Sequence, residues 1–136
     1  MNEAVPLFDV RLSPEQDAAV RARAALDQIR QRLSQAAYDD ARLMVSEIVT
    51  NSLRHADLSA DQSIRVRGHL EGRRLHVEVA DAGAGFAPEE RSPDAAEDAG
   101  WGLFIVQKLA TDWGVSTDGG TRVWFEVDAE DGGRSI

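Results

Sequence analysis

Glu47 and Asn51 are the two polar residues whose types and spacing could do chemistry together. They lie four residues apart in residues 39–56, a segment with apolar residues at helical spacing. Residues four apart stand one above the other on a helix, so the carboxylate and the carboxamide share one side, at the edge of the apolar arc. Taken alone, the pair is explained more simply as the solvent-exposed edge of a surface helix. Only with other motifs does it suggest a shared ligand in a cleft.

Three glycine-containing motifs follow this segment in a fixed order. They are Asp81-x-Gly83-x-Gly85 at the end of a predicted strand, Gly100-x-Gly102 between a loop and a predicted helix, and Gly119-Gly120-Thr121 in a predicted hairpin. Each alone has an ordinary explanation, namely a chance string, a loop hinge and a hairpin turn. Their joint occurrence, in order and on the expected element types, is much harder to obtain by chance and indicates one common site.

The glycine motifs have physical roles if the ligand is ATP. Asp81 could accept a hydrogen bond from the exocyclic amine of adenine, whereas guanine presents a carbonyl at that position. Gly83 and Gly85 have no Cβ, so the backbone could approach the base or the ribose closely. Gly100 and Gly102 lie where the N–H groups of a helix N-terminus could face phosphate.

Glu47 and Asn51 would then act on the triphosphate. Asn51 offers a neutral oxygen suited to Mg²⁺, which takes few protein ligands and keeps water and phosphate oxygens as the others. Glu47, one helical turn away, could take the proton of an attacking hydroxyl in phosphoryl transfer.

The elements that must position these residues form an α+β pattern. Phe8, Val10 and Leu12 alternate with polar residues and predict a first strand. Ser13 as N-cap, Pro14 at the first helical position and Gln16 in a capping box predict a helix that continues to about Leu33. The remaining pattern predicts a helix over 39–56, strands over 64–70 and 74–80, a mobile loop over 87–99, a helix over 103–113, and strands over 115–117 and 122–127.

Composition narrows the function classes. The chain has 136 residues, no cysteine and a net charge of −9. We expect a single domain over 1–136, with a core over about 8–127 and a disordered acidic tail over 128–136. The acidic charge argues against direct nucleic-acid binding. The absence of a long apolar run or a signal-like N-terminus predicts no membrane association and a cytoplasmic location.

The four motifs resemble the N, G1, G2 and G3 boxes of the GHKL superfamily of ATPases and kinases. The length, the string VSEIVTNSLRHA and the string GWGLFIVQKLATDWGV are similar to those of the bacterial anti-sigma factor serine/threonine kinases. The resemblance covers about residues 8–127. It implies a two-layer α+β sandwich with the Bergerat, or histidine kinase-like ATPase, fold, in which a mixed, mainly antiparallel sheet carries about three helices on one face.

The resemblance also implies roles for individual residues. Glu47 is the catalytic base and Asn51 the Mg²⁺ ligand, and Asp81 reads adenine with Thr121 near the base. The remaining residues that it places around the nucleotide are Arg54, His55, Gly83, Gly85, Phe86, Gly100, Trp101, Gly102 and Leu103. Arg54 and His55 are explained equally well as an exposed helix end, and Trp101 is bulky for a phosphate loop.

The implied activity is that of an ATP- and Mg²⁺-dependent protein serine/threonine kinase with anti-sigma activity. Its substrate would be a serine or threonine of an anti-anti-sigma protein of the STAS type, and it would bind a sigma factor, commonly as a homodimer. Two alternatives stay open: an ATP-dependent binding module that transfers no phosphate, and a switch kinase that acts on a stress-signalling scaffold. A histidine autokinase fragment is disfavoured because no histidine precedes residue 47.

Overall fold

Five strands form one antiparallel sheet in the computed structural model, which describes residues 6–55, 62–82, 101–117 and 120–131. The strands are β1 (Phe8–Leu12), β2 (Ile64–Glu71), β3 (Arg74–Asp81), β4 (Asp112–Ser116) and β5 (Thr121–Asp128), and their order across the sheet is β1-β2-β3-β5-β4. Every neighbouring pair is antiparallel. The mixed sheet expected from the resemblance is therefore antiparallel throughout the described strands.

One face of the sheet is buried because its strands alternate. In β3, Leu75, Val77 and Val79 are buried, and in β5 the buried apolar residues are Val123, Phe125 and Val127. Side chains at every second position of a strand point to the same face, so these residues form a continuous apolar surface. The opposite face, which we call the open face, carries the intervening residues of the central strands, mainly Arg, Glu and His.

Three α-helices cover the buried face. They are α1 (Ala18–Asp27), α2 (Gln35–His55) and α3 (Trp101–Leu109), and a 3₁₀ turn (Arg30–Arg32) lies between the first two. The helix α2 packs between α1 and α3 and against β3 and β5. Its residues Met44, Val45 and Val49 are fully buried in the same core as the inward strand residues. The predicted two-layer α+β architecture is confirmed. Among the described residues, no helix has the length and the apolar composition to cross a membrane.

The helix predicted from Ser13 to Leu33 is wrong at both ends. Residues 13–17 form turns, and α1 begins at Ala18 after Asp17, with no side-chain hydrogen bond to its N-terminus. The capping box of Ser13 and Gln16 is therefore absent. The helix ends at Asp27, and further along the chain the N–H of Ser34 donates to the carbonyl of Ala129 (2.8 Å).

The second helix begins four residues earlier than predicted. The Ser34 Oγ accepts a hydrogen bond from the N–H of Ala37 (3.0 Å), and the Ser34 carbonyl accepts from Tyr38 (2.9 Å). Ser34 is therefore the N-cap of α2, a role that its residue type favours. The sequence contained this signal, but the apolar periodicity that begins near Asp39 outweighed it.

The boundary between α3 and β4 also differs from the prediction. The helix ends at Leu109 rather than Trp113, and β4 begins at Asp112. The N–H of Thr111 donates to the carbonyl of Glu126 (2.8 Å), and Trp113 pairs with Phe125. Pairing with β5 therefore converts the end of an apparently helical pattern into a strand, which is a tertiary effect.

The acidic tail is ordered further than expected. Asp128 ends β5 and accepts hydrogen bonds from the N–H groups of Glu130 (2.8 Å) and Asp131 (2.9 Å). Ala129 is buried and its N–H donates to the carbonyl of Arg73 (2.6 Å). The described chain thus extends as ordered structure to Asp131, and residues 132–136 lie outside the described residues.

Candidate active site

The helix α2 carries the first two candidate residues. Glu47 is half-buried and Asn51 is only 6% exposed, although both are polar. The neighbouring Ser52 is also buried. A buried carboxamide and hydroxyl are costly in an apolar environment unless they meet a polar partner, so this part of α2 does not resemble an ordinary solvated helix edge. Asn51 therefore does not lie on a solvent-exposed edge of the helix, which was the simpler explanation of the pair.

The pairing of β3 with β5 brings the next two candidates together. Asp81 is the last residue of β3 and lies opposite Thr121, the first residue of β5, in the antiparallel register. The two residues are 40 positions apart in the chain, so only the sheet joins them. Since α2 packs against both strands, the ends of β3 and β5 and the face of α2 with Asn51 belong to one packed unit.

Thr121 has an unusual polar group. Thr121 is only 4% exposed, and its Oγ1 is buried without a hydrogen-bond partner within the described part of the chain. Buried hydroxyl groups in native proteins are nearly always paired, so an unpaired one needs an explanation. A bound molecule that offers a donor or an acceptor beside Asp81 would satisfy it. We regard this as the observation of the structure that best fits a ligand at this place.

Gly120 maintains the close approach of the two strand ends. Its φ is +132°, and a Cβ built on it would lie 2.5 Å from the carbonyl oxygen of Asp81. Both facts exclude other residues without a backbone shift. The sequence placed this glycine in the fourth motif of the candidate site, with a hairpin turn as its ordinary explanation. Its close contact with Asp81 is visible only in the structure, because the two residues are far apart in the sequence.

The structure describes the other candidates only in part. Arg54 is exposed near the end of α2, and His55 is the last residue of that helix. The helix α3 begins at Trp101, so Trp101, Gly102 and Leu103 form its first turn, where helical N–H groups lack intrahelical partners. Gly83, Gly85, Phe86 and Gly100 lie outside the described residues, as does the predicted loop over 87–99.

The residues present fit a nucleotide with Mg²⁺ in their chemistry. Among the described residues, no group of three or more His, Asp or Glu side chains is arranged to hold a metal ion. A magnesium ion held by the Asn51 carboxamide, phosphate oxygens and water needs no such cluster. The unpaired hydroxyl of Thr121 beside Asp81 fits a heterocycle that carries both donors and acceptors.

Comparisons with known proteins identify the family of the chain. The family model described as "Histidine kinase-like ATPase domain" matches residues 11–127. The serine-protein kinase RsbW of Listeria innocua is 32% identical over 117 residues, which cover 74% of each chain. The serine-protein kinase RsbW of Bacillus pumilus is 25% identical over 139 residues, which cover 90% of this chain and 86% of that protein.

Two solved structures share the fold. The blue-light activated histidine kinase EL346 of Erythrobacter litoralis has a TM-score of 0.55 and 22% identity, covering 82% of this chain and 41% of that one. The histidine kinase AdeS of Acinetobacter baumannii has a TM-score of 0.53 and 13% identity, covering 92% of this chain and 69% of that one. The chain thus spans about two fifths of the length of the first kinase, and at these identities the likeness shows the fold alone.

Proposed function

This chain belongs to the histidine kinase-like ATPase domain family, and from that premise we propose that it is a protein serine/threonine kinase with anti-sigma activity. It binds ATP with Mg²⁺ and transfers the γ-phosphoryl group to a serine or threonine of an anti-anti-sigma protein of the STAS type. It also sequesters a sigma factor and acts as a homodimer. The relatives named serine-protein kinase support the kinase activity. The superfamily predicted from the sequence is confirmed.

The observation that carries the proposal is the strand register that places Asp81 opposite Thr121, whose buried hydroxyl has no hydrogen-bond partner in the described structure. Asp81 accepts a hydrogen bond from the adenine amine, and the Thr121 Oγ1 completes the recognition of the base beside it. Gly120 holds these two groups at a fixed separation, because its lack of a Cβ permits the close contact with Asp81. The strand ends thus supply the base specificity of the site.

Glu47 and Asn51 act at the other end of the nucleotide. The bound Mg²⁺–ATP supplies the phosphoryl group and the cation that neutralises its charge. Asn51 would hold the cation through its carboxamide oxygen. Glu47 accepts the proton of the partner's hydroxyl while the hydroxyl oxygen bonds to the γ-phosphorus and the bond to the leaving phosphate oxygen breaks. A half-buried carboxylate one turn from Asn51 is well placed for this role.

The test measures phosphoryl transfer and ATP binding separately. The purified chain is incubated with γ-labelled ATP, Mg²⁺ and candidate small antagonist proteins. We expect Glu47→Gln to bind ATP with nearly unchanged affinity and to lose transfer by about 100-fold or more, because binding does not need a base. Asp39→Asn removes the same charge two turns earlier on α2, where Asp39 is exposed, and is the matched control.

The outcomes separate the proposal from its alternatives. Wild-type protein that binds ATP but labels no candidate antagonist, while it still holds a partner in a nucleotide-dependent manner, would establish the non-catalytic binding module. Transfer to a scaffold protein without any sigma factor bound would establish the switch kinase. Transfer that survives Glu47→Gln unchanged would reject Glu47 as the base.

A further inference from the structure

Three large hydrophobic side chains are exposed among the described residues, namely Val20 (55%), Leu43 (42%) and Phe104 (44%). The ring of Phe104 on α3 already has a partner, since the Lys108 ammonium lies over it at 5.4 Å from the centroid. Val20 lies on α1, an element that carries none of the candidate site residues. Leu43 lies on α2, one helical turn before Glu47. Leu43 is therefore the exposed apolar residue on the element that carries the proposed base.

Leu43 is exposed although its neighbours in the chain are not. Met44 and Val45 are fully buried in the core, whereas the side chain of Leu43 points towards solvent. An exposed leucine is common on protein surfaces and needs no explanation by itself. Its position beside a proposed catalytic group is what distinguishes this one.

Leu43 and Glu47 form a short ridge on the outside of α2. Four residues of an α-helix correspond to about 40° of rotation and about 6 Å of rise, so the two side chains project from neighbouring places on the same side. Asn51, one turn beyond Glu47 in the other direction, belongs to the proposed nucleotide and Mg²⁺ site. The side of Glu47 that remains for a protein substrate is therefore the side of Leu43.

Hydrogen bonds between α1 and α2 hold this ridge in place. The Oγ of Ser46, which lies between Leu43 and Glu47 in the chain, accepts from the Nη1 of Arg23 on α1 (3.0 Å). The same Oγ donates to the carbonyl of Arg42 (2.8 Å). A surface that is already held in its conformation loses less entropy when a partner binds to it. The ridge is thus a pre-formed contact surface.

We propose that Leu43 is a specificity residue for the protein substrate, which contacts it with an apolar side chain about 6 Å from the acceptor hydroxyl. The inference rests on the proposed function, because it takes Glu47 as the base. In an extended substrate segment such a side chain lies two residues from the acceptor and on the same side. In a helical segment it lies four residues away. Removing both apolar surfaces from water favours this substrate over one with a polar residue at that place.

Other occupants fit the ridge less well. Asp39 and Glu47 lie one turn before and one turn after Leu43, so two carboxylates flank the leucine and would repel the phosphates of a nucleic acid. A single leucine offers too little apolar area to anchor the chain on a membrane. A second copy of the chain seated on Leu43 would block the approach of the substrate, and the test below distinguishes that case.

The first test measures the kinetics of phosphoryl transfer to the antagonist protein that the wild-type chain labels, at saturating ATP and Mg²⁺. We expect Leu43→Ser to raise the KM for the antagonist about tenfold, because an apolar contact is lost. The kcat and the Kd for ATP should stay within about twofold, because the contact serves binding of the protein substrate and not the chemical step. Leu43→Met keeps an apolar side chain of similar volume and should behave like the wild type.

Val20→Ser is the matched control. It removes an exposed apolar side chain from α1, and the KM for the antagonist should not change. Sedimentation velocity of the same variants shows whether either substitution alters self-association of the chain.

The second test changes the substrate. Mass spectrometry locates the labelled serine or threonine, and each apolar residue two or four positions from it is replaced by serine. At one of these positions we expect the replacement to raise the KM of the wild-type kinase and to add little to the KM of Leu43→Ser. Such non-additivity in a double-mutant cycle is the sign of a direct contact.

The results separate this inference from the proposed function. An equal KM for the wild type and Leu43→Ser, additive effects at every substrate position, or an acceptor with only polar residues at those positions would overturn the role of Leu43 and leave the kinase activity standing. A Leu43→Ser variant with altered self-association and an unchanged KM would assign the ridge to a second copy, which also overturns it. A wild-type chain that labels no antagonist would reject the proposed function, and the inference with it.

Discussion

Two polar side chains and a glycine at the ends of β3 and β5 combine features that a purely structural role does not require. The Thr121 hydroxyl is buried without a partner in the described structure, Asp81 lies opposite it, and Gly120 takes a φ of +132° to keep the two strands close. An unpaired buried hydroxyl costs free energy, of the order of 1–3 kcal/mol for such groups. A bound ligand that forms a hydrogen bond with the Thr121 hydroxyl would remove this cost.

Gly120→Ala tests this arrangement at the scale of one methyl group. The new Cβ would lie 2.5 Å from the Asp81 carbonyl oxygen, so we expect a lower melting temperature and at least tenfold weaker ATP binding. Gly72→Ala is the matched control. Gly72 also has a positive φ (+63°), but a Cβ added there would meet nothing within 4 Å, so this variant isolates the backbone cost. Calorimetric titration with ATP and thermal unfolding measure both effects, and equal ATP affinity in the two variants would contradict the spacing role.

At the scale of the elements, the pairing of strands from distant parts of the chain determines which charged groups surround His69. The hairpin of β2 and β3 brings His69 next to His76, and β5 adds Trp124 and Glu126. Burial lowers the pKa of His69, and the adjacent His76 lowers it further, as does Arg67, while Glu71 and Glu126 oppose the shift. The folded protein therefore binds a proton at His69 less readily than the unfolded chain does.

This difference predicts a pH dependence of stability. The ordinary pKa of histidine is 6.5. Above that value neither state binds the proton, and below it the unfolded state binds first, so the free energy of unfolding should fall as the pH drops from about 7 through 6.5 to the lowered pKa of the folded state. His69→Gln should remove this part of the slope in urea titrations at several pH values. An unchanged slope between about pH 7 and 5 would show that His69 does not contribute.

Two carboxylates with lowered pKa values make the stability depend on pH in a more acidic range. Hydrogen bonds from Arg65 lower the pKa of Asp9, and the N–H groups of Asp131 and Glu130, with Arg73, lower that of Asp128. Their stabilisation is present above the ordinary carboxyl pKa and is lost as the pH falls through the lowered values. Because both carboxylates are partly exposed to solvent, screening keeps each effect small.

At the scale of the whole molecule, ligand binding and folding are coupled. The candidate residues come from α2, β3, β5 and α3, and these elements are joined only through the packed layers. A nucleotide that binds the folded state and not the unfolded chain stabilises the fold by about 2.7 kcal/mol at one hundred times its Kd.

We therefore expect ATP with Mg²⁺ to raise the melting temperature and GTP to leave it nearly unchanged. Asp81→Asn should reduce this selectivity, because an amide can both donate and accept where the carboxylate only accepts. Differential scanning calorimetry with each nucleotide measures the effect. Equal stabilisation of the wild-type protein by ATP and GTP would exclude Asp81 as the reader of adenine.

The sequence by itself determined the features that depend on neighbouring residues. The 3.6-residue period placed Glu47 and Asn51 on one side of a helix, and the two-residue period identified β2, β3 and β5 with their buried face. The order of the four motifs was sufficient to predict the superfamily. Their individual roles in the site stay predictions, and for Gly83, Gly85, Phe86 and Gly100 the described structure adds nothing.

The tertiary structure decided what depends on contacts between distant segments. Pairing with β5 ended α3 at Leu109, and the contact of Ser34 with Ala129 accompanied the early start of α2. Register placed Thr121 opposite Asp81 and Trp124 beside His76. Local periodicity specifies which way a side chain points, whereas burial and register are fixed by the packing of whole elements, which no short stretch of sequence contains.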